Sequence, residues 1–241
     1  MNVIKQTDAG YVLYNPKDEY VGRSIEHYGD YQREELKLFS DYVKGGYTVL
    51  DIGANIGTHT LWFANRVGSK EGGKVLAFEP QRLIYQTLCA NMALNSVLCV
   101  DCKHMGVGSA QKIIKVPILD PEVENNFGGL SIKEHEQGED VAIVPIDHIN
   151  LSRCDFIKID VEGMEPEVLM GGLKTIYEHK PVIYLEVDRD ENNKLISEIM
   201  TSLGYEIERH NPFLHSPDYE QENIFGEMAS LNAICRPKKD V

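Results

Sequence analysis

The chain has few basic residues and no long apolar run, and both features limit the classes of protein to which it can belong. Its 241 residues include 24 Lys and Arg against 38 Asp and Glu, which gives a formal net charge of −14. Nucleic-acid binding depends on Lys and Arg that contact phosphate, so this excess of acid disfavours a nucleic-acid partner and also an anionic membrane surface. A membrane-spanning helix needs roughly 20 apolar residues in a row, and no segment approaches that length. We therefore expect no nucleic-acid partner and no membrane association.

Cysteine is also scarce, and its spacing fits neither a disulfide framework nor a zinc site. The chain has five scattered cysteines, an odd number that is typical of reduced thiols in the cytoplasm. Cys99 and Cys102 have the spacing of a metal-ligand pair, but no second pair accompanies them. The first ten residues lack the apolar core of a secretory signal. These features predict a cytoplasmic protein.

The pattern of apolar residues predicts a single globular domain of the α/β class. The predicted strands are 47–52, 74–79, 98–104, 156–160, 182–187, 205–209 and 230–235, and the predicted helices are 31–43, 59–66, 80–95, 166–178 and 192–203. Residues 1–44 are interpreted as an N-terminal extension and helix, of which residues 1–28 form an irregular segment or a short hairpin. Residues 45–241 form the main part of the domain.

Two departures from regular strand–helix alternation distinguish this pattern from a plain dinucleotide-binding fold. Residues 111–147 contain short apolar runs around a Gly–Gly loop, which predicts inserted antiparallel strands. The last two strands are joined by residues 211–227 without a helix, which predicts a final antiparallel pair. The expected fold is therefore a doubly wound, Rossmann-like sheet with an inserted β segment and a terminal antiparallel pair.

The most informative segment follows the first strand. An apolar strand ends at Asp51, a turn with Gly53 and Gly57 comes next, and a second strand ends at Glu79. This order is the first half of a nucleotide-binding α/β unit. A dinucleotide fold needs the spacing G-x-G-x-x-G to cradle a pyrophosphate, and the spacing here differs. An acid at the strand tip would repel a pyrophosphate but suits the cationic end of S-adenosylmethionine (SAM), which favours a methyltransferase over a nicotinamide-dependent oxidoreductase.

The residues of this turn have predicted roles at the cofactor. Glu79 is placed to accept hydrogen bonds from both ribose hydroxyls. Asp51 acts near the methionine amine or holds the loop, and Gly53 and Gly57 let the backbone approach the ligand. Gly106, after the third strand, lines the adenine or belongs to the core. A tight turn without a ligand would use the same glycines, but the carboxylates at both strand ends favour a ligand.

Polar residues at the ends of the later strands are the candidates for catalysis. Methyl transfer requires an aligned acceptor that loses a proton. The main candidate bases are Asp160, Glu162, Glu186 and His210, and His59 is a further candidate. Asp160 is also expected to contact the cofactor, because the carboxyl end of a strand faces the crevice. Glu186 and Asp188 are interpreted as pointing to opposite sides, so that only one enters the crevice, and His59 is interpreted as a residue of a helix face.

The same acids offer oxygen ligands of the kind that Mg²⁺ takes. Their spacing alone is not specific for a cation. We therefore predict no metal and expect methyl transfer to survive EDTA.

Two loops, the Gly128–Gly129 loop and residues 211–227, are expected to form the walls of the acceptor site, since long loops over a crevice usually carry specificity. The predicted contacts are Phe127, Gly128, Gly129, Phe213 and Phe225, and Leu214 and Tyr219 are expected to add apolar or stacking surface. The alternative is that the aromatic side chains seal the edge of the sheet.

At this point the chain resembles the FkbM family of SAM-dependent methyltransferases, over about residues 29–236. The matching pieces are Gly29-Asp-Tyr31 with Glu35, Val49-Leu-Asp-Ile-Gly-Ala-Asn-Ile-Gly57, Ala77-Phe-Glu-Pro80, Asn91 with Leu94-Asn95, Asn126-Phe-Gly-Gly129, and Ile157-Lys-Ile-Asp-Val-Glu-Gly163 with Glu165. The phrase that begins at Ile157 is the most specific of them. The resemblance implies a doubly wound seven-stranded methyltransferase domain at 45–241. It also implies that Tyr31, Glu35, Asn55 and Pro80 lie at the cofactor.

The resemblance further implies methyl transfer from SAM, most often to a hydroxyl on a saccharide or small metabolite. Relatives that methylate side-chain amides in peptides leave N-methylation as an alternative, and an inactive SAM-binding module is a second one. The intact acids at Asp51, Glu79, Asp160 and Glu162 argue against loss of activity. The expected partner is thus a small-molecule, saccharide or peptide acceptor, and a homodimer is possible.

Overall fold

The computed structural model describes residues 2–133 and 135–238. The strands are β1 (Val3–Thr7), β2 (Gly10–Tyr14), β3 (Thr48–Ile52), β4 (Lys74–Phe78), β5 (Val100–Lys103), β6 (Gly106–Val107), β7 (Lys112–Val116), β8 (Glu139–Val144), β9 (Phe156–Ile159), β10 (Val182–Glu186), β11 (Tyr205–His210) and β12 (Asn232–Pro237). The α-helices are α1 (Val21–Tyr28), α2 (Arg33–Tyr42), α3 (Thr58–Val67), α4 (Arg82–Leu94), α5 (Glu165–Met170), α6 (Leu173–His179) and α7 (Asp190–Ser202).

A seven-stranded sheet forms the centre of the structure, with the order β11-β12-β10-β9-β3-β4-β5. The strands from β10 to β5 are parallel to their neighbours, whereas β12 is antiparallel to both β10 and β11. The chain reverses its direction of winding between β3 and β9, so the carboxyl ends of these strands border a crevice. The predicted doubly wound sheet with a final antiparallel pair is confirmed.

The central strands are continuous apolar runs because the sheet is covered on both faces. Successive side chains of a strand point to opposite faces. Leu50 thus packs in a cluster with residues of α5, α6 and α7. Its neighbour Val49 packs in another cluster, with Phe39 of α2 and Phe63 of α3.

The N-terminal segment is more regular than predicted. Residues 1–28 include the hairpin β1–β2 and helix α1, and the helix was not foreseen. Val12 and Ile25 pack in one cluster with Ile56 and Leu88. The hairpin and α1 therefore share a core with the edge of the main sheet.

Besides shifts of one or two residues at the ends of other elements, three features differ from the prediction. The helix predicted over 166–178 is two helices, α5 and α6, which Gly171 and Gly172 separate. A Cβ at Gly171 would stand 2.0 Å from the Gly108 carbonyl oxygen. The helix predicted to open at Pro80 begins at Arg82. The inserted segment is a three-stranded sheet in which β7 and β8 are antiparallel, as predicted, and β6 adds a parallel pairing that was not foreseen.

Within the described ranges, none of the helices combines the length and apolar character that a membrane crossing demands.

Candidate active site

A crevice of about 440 Å³ lies at the carboxyl ends of β3, β4, β9 and β10. The predicted site residues that line it are Tyr31, Glu35, Gly53, Asn55, Glu79, Gly128, Gly129, Asp160, Glu162 and Glu186. Two more, Pro80 and Gly106, line a small adjoining pocket of about 40 Å³ that shares Gly53, Glu79 and Asp160 with the crevice. The topology thus brings together residues that are up to 155 positions apart in the sequence (Tyr31 and Glu186).

Gly53 lets the turn after β3 reach the end of β9. Its φ is +80°, in the left-handed region, and a Cβ there would stand 1.7 Å from the backbone oxygen of Asp160. Only glycine satisfies both conditions. The backbone N–H of Gly53 also donates to the Phe78 carbonyl oxygen at 3.0 Å, which ties the turn to β4.

Glu79, directly after β4, is held by the backbone on both carboxylate oxygens. Oε2 accepts the N–H of Asn55 at 3.0 Å and Oε1 accepts the N–H of Gln81 at 2.8 Å. The side chain is buried, and burial raises the pKa of Glu79 to about 7 although the two N–H groups act to lower it. A fixed carboxylate with unused lone pairs at the crevice is the arrangement that a vicinal diol needs.

Asp51 lies beneath the crevice rather than on its surface. It is fully buried and accepts a hydrogen bond from the Thr60 hydroxyl at 2.5 Å. Of its two predicted roles, the geometry favours holding the loop.

Lys158 is a central residue that the sequence reasoning did not assign. Its buried Nζ lies 3.1 Å from Asp160 Oδ2 and 3.9 Å from Asp51 Oδ1. These carboxylates and Glu35 raise the pKa of Lys158 although burial acts to lower it. Its position inside the apolar run of β9 could have identified it. A buried charge is costly unless it is paired, so a lysine there predicts nearby carboxylates.

Three acids converge on the open side of the crevice. Asp160, Glu162 and Glu186 each offer a carboxylate oxygen, and these oxygens all lie within 4.8 Å of one another. Burial and the neighbouring Asp160 raise the pKa of Glu162 to about 7, and burial with Asp160 and Glu162 raises the pKa of Glu186. Arg189 approaches Glu162 at 3.6 Å. Such a group stabilises a cation, whether organic or metallic.

Glu186 and Asp188 both line the crevice, which corrects the interpretation that only one of them can. Residues two positions apart in an extended chain share a face.

A buried polar network closes the side of the crevice next to α2. Asn232 donates through Nδ2 to Glu35 Oε1 and to the Tyr184 hydroxyl, both at 2.8 Å. His59 Nε2 lies 3.4 Å from Glu35 Oε2. Burial raises the pKa of Glu35 to about 8 and lowers that of His59. His59 is thus part of the crevice wall, and Asn232 is a lining residue that the sequence reasoning missed.

Several predicted site residues lie outside the crevice. Gly57 caps the start of α3 beneath it. His210 contacts the Tyr184 hydroxyl at 2.9 Å and so reaches Glu35 only through other side chains. Phe213 is half exposed and makes an isolated bridge to Ala229.

Phe225 packs in a cluster with Tyr28 and Tyr219, and Phe127 faces another cavity. Of the residues in the loop 211–227 that were expected to supply apolar surface, Leu214 lines the crevice, and Met228 and Ala229, which follow the loop, line it as well.

The sheet order, the single antiparallel strand β12 and the crevice define a methyltransferase-type Rossmann-like fold. The model of the FkbM methyltransferase domain matches residues 51–207, which is more than half of the chain. The chain therefore belongs to the FkbM methyltransferase family, and the resemblance inferred from its motifs is confirmed.

Individual relatives are distant. Methyltransferase sdnD of Sordaria araneosa is 29% identical over 157 residues, which cover 51% of this chain and 59% of that protein. The chain thus spans little more than half the length of this relative.

Solved structures share the fold. The methyltransferase FkbM of Methylobacillus flagellatus gives a TM-score of 0.54 at 19% identity, over 83% of this chain and 50% of that one. A SAM-dependent O-methyltransferase of Thermotoga maritima gives a TM-score of 0.52 at 14% identity, over 99% of this chain and 78% of that one. At such identities the likeness concerns the fold alone.

Proposed function

We propose that this protein is a SAM-dependent methyltransferase that acts on a hydroxyl of a saccharide or another small hydroxylated metabolite. The observation that carries the proposal is the arrangement of Gly53, Glu79 and Asp160 at the carboxyl ends of three adjacent strands, where the turn after the first strand lies so close to Asp160 that only glycine fits. Membership of the FkbM family supports the same activity.

The residues present fit SAM at the level of their chemistry. Glu79 would hold the ribose hydroxyls, and Gly106 with Pro80 would border the adenine in the small pocket. Glu35 and Asp160 would face the cationic methionine end, since opposite charges within several ångströms stabilise each other in a partly buried site. When bound, SAM supplies a methyl group activated by a sulfonium.

Asp160 is the best placed of the candidate bases. Its side chain is 46% exposed, against 24% for that of Glu162. An acceptor hydroxyl that becomes an ether must lose its proton, and a carboxylate within hydrogen-bond reach can take it. Lys158 keeps this carboxylate in place at 3.1 Å. The acceptor would lie between Asp160, Glu186 and the Gly128–Gly129 loop.

The proposal is tested by calorimetric titration with SAM and with NAD, followed by mass spectrometry of products from panels of saccharides, small hydroxylated metabolites and peptides. We expect SAM to bind and NAD not to bind, and a mass gain of one methyl group on a hydroxyl. Binding of SAM without any methylated product would indicate an inactive module. A product methylated on an amide would establish the N-methyltransferase alternative.

A further inference from the structure

A second cavity, which we call the lateral cavity, lies against α4 and has a volume of about 360 Å³. Its walls come from three segments that are distant in the sequence: Leu13 of β2, Leu83 and Ile84 of α4, and Ile118 and Leu119 after β7. Binding sites for small molecules typically have volumes of roughly 300–1000 Å³ and mainly apolar walls. The lateral cavity has both properties, and methyl transfer uses none of these residues.

Two of the polar groups at its walls are held by neighbouring residues. Asn15 donates through Nδ2 to the Pro121 carbonyl oxygen at 2.8 Å, and Arg82 pairs with Glu139 at 2.6 Å. Because the arginine is paired with Glu139 and Asp18 is a further lining acid, the cavity offers no unpaired cation for an anionic ligand among the described residues that line it. Mainly apolar sites without an unpaired charge favour uncharged, apolar ligands.

The edge of the lateral cavity also favours an apolar guest. Ile118, which lines it, is 56% exposed. A guest in the cavity would cover this side chain and remove it from water. Because the burial of apolar surface is favourable, this contact would add to the affinity for an apolar guest.

The lateral cavity is separated from the crevice by a shared wall. Phe127 is buried and lines the lateral cavity, whereas Asn126, Gly128 and Gly129 line the crevice. A molecule in the lateral cavity would thus lie on the other side of this segment from Asp160. We propose that the lateral cavity is a binding site for an uncharged, apolar small molecule that is distinct from the methyl donor and the acceptor.

The probe for this site is N-phenyl-1-naphthylamine, an uncharged apolar dye whose fluorescence rises in apolar surroundings. The full chain would be titrated with it, together with four variants. Thr87→Phe fills the cavity, and the Thr87 hydroxyl bonds only within its helix, to the Leu83 carbonyl oxygen. Its control is Ala93→Phe, an exposed position of the same helix outside the cavity.

Ile118→Ser makes the edge of the cavity polar. Its matched control is Ile113→Ser, because Ile113 is 64% exposed in the same inserted segment but does not line the cavity. The melting temperature of each variant reports whether it is folded.

We expect saturable binding of one dye molecule, weakened about tenfold or more by Thr87→Phe, which is a loss of about 1.4 kcal/mol. Ile118→Ser should weaken it by a smaller factor, and both controls should bind like the parent. The anionic dye anilinonaphthalene sulfonate should bind more weakly than the uncharged one. The proposal is overturned if the dye does not saturate, if Thr87→Phe and Ala93→Phe bind it alike, or if the anionic dye binds as tightly.

Discussion

Glu79 is the residue whose replacement tests the cofactor site most directly. Its carboxylate accepts two backbone N–H groups, from Asn55 and Gln81, and each oxygen retains a lone pair for a ribose hydroxyl. We predict that Glu79→Ala loses most of the affinity for SAM. The backbone turn itself should persist, since Gly53 remains anchored to the Phe78 carbonyl oxygen.

The size of the loss follows from the number and kind of bonds. A hydrogen bond to a charged group contributes about 1.5–3 kcal/mol. Because the Glu79 carboxylate already shares its charge with two backbone N–H groups, two such bonds near the lower end of this range amount to about 2–4 kcal/mol. Since about 1.4 kcal/mol is a factor of ten, the dissociation constant should rise by roughly 30- to 700-fold.

The raised pKa of Glu79 gives a pH signature. Only the ionised carboxylate accepts both hydroxyls, so the affinity of the parent for SAM should fall as the pH drops through about 7. Glu79→Ala should lose the share of this dependence that belongs to Glu79.

The assay is isothermal titration with SAM and S-adenosylhomocysteine between pH 6 and pH 9. The matched control is Glu165→Ala, because Glu165 is also buried and also accepts two backbone N–H groups, from Val161 and Gly163, but does not line the crevice. If Glu79→Ala binds SAM like the parent, or if Glu165→Ala loses as much affinity, our assignment of the ribose site is refuted.

Three further predictions concern the acids. Asp160→Asn should retain much of the affinity for SAM but lose turnover by roughly 100-fold or more, the scale of a missing general base. Single-turnover kinetics at saturating SAM would measure this loss, and an unchanged rate would exclude Asp160 as the base. EDTA should leave methyl transfer intact; a loss restored by Mg²⁺ would instead identify Asp160, Glu162 and Glu186 as ligands. Glu35→Gln should stabilise the protein without ligand at pH 8, because burial raises the pKa of Glu35 to about 8. The stability that the protonated group provides is complete below its ordinary pKa near 4.5 and is lost as the pH rises to about 8, so the melting temperatures of parent and variant should converge near pH 4.5 and diverge above it.

The fold could be predicted from the sequence because its signals are local. β3, β9 and β10 are apolar runs of the length of a strand, and Gly53 marks the turn after the first of them. The break between α5 and α6 falls at Gly171 and Gly172, which the sequence reasoning did not use as a break. The contact of Gly171 with the backbone of Gly108, more than sixty positions away, could not be predicted from the sequence. Helix α1 was missed because its apolar residues mix with Tyr, Arg and His, and its burial depends on the hairpin and on α4.

The residues of the candidate site show the same difference between local signals and contacts with distant segments. Residues at strand ends, such as Glu79 and Asp160, were placed correctly at the crevice because parallel strands end at a common edge. The aromatic side chains of the loop 211–227, Phe213 and Phe225, were not placed correctly. An irregular loop has no regular spacing of residues from which the direction of a side chain could be inferred. Phe225 turns towards Tyr28 of α1, an element that the sequence reasoning had not identified.

The electrostatics of the crevice could not be inferred from composition, because they arise from burial. Glu35, Glu79 and Glu162 have pKa values near 8, 7 and 7, so at neutral pH each holds a proton for part of the time. Lys158 is the buried cation among them, and it is already engaged by Asp160 and Asp51. A ligand that brings positive charge into the crevice would lower these pKa values and release protons. The free protein thus holds these acids in an environment that disfavours their charged form, which lowers its stability. Acids with perturbed pKa values that lie together in a crevice are typical of ligand sites rather than of structural cores.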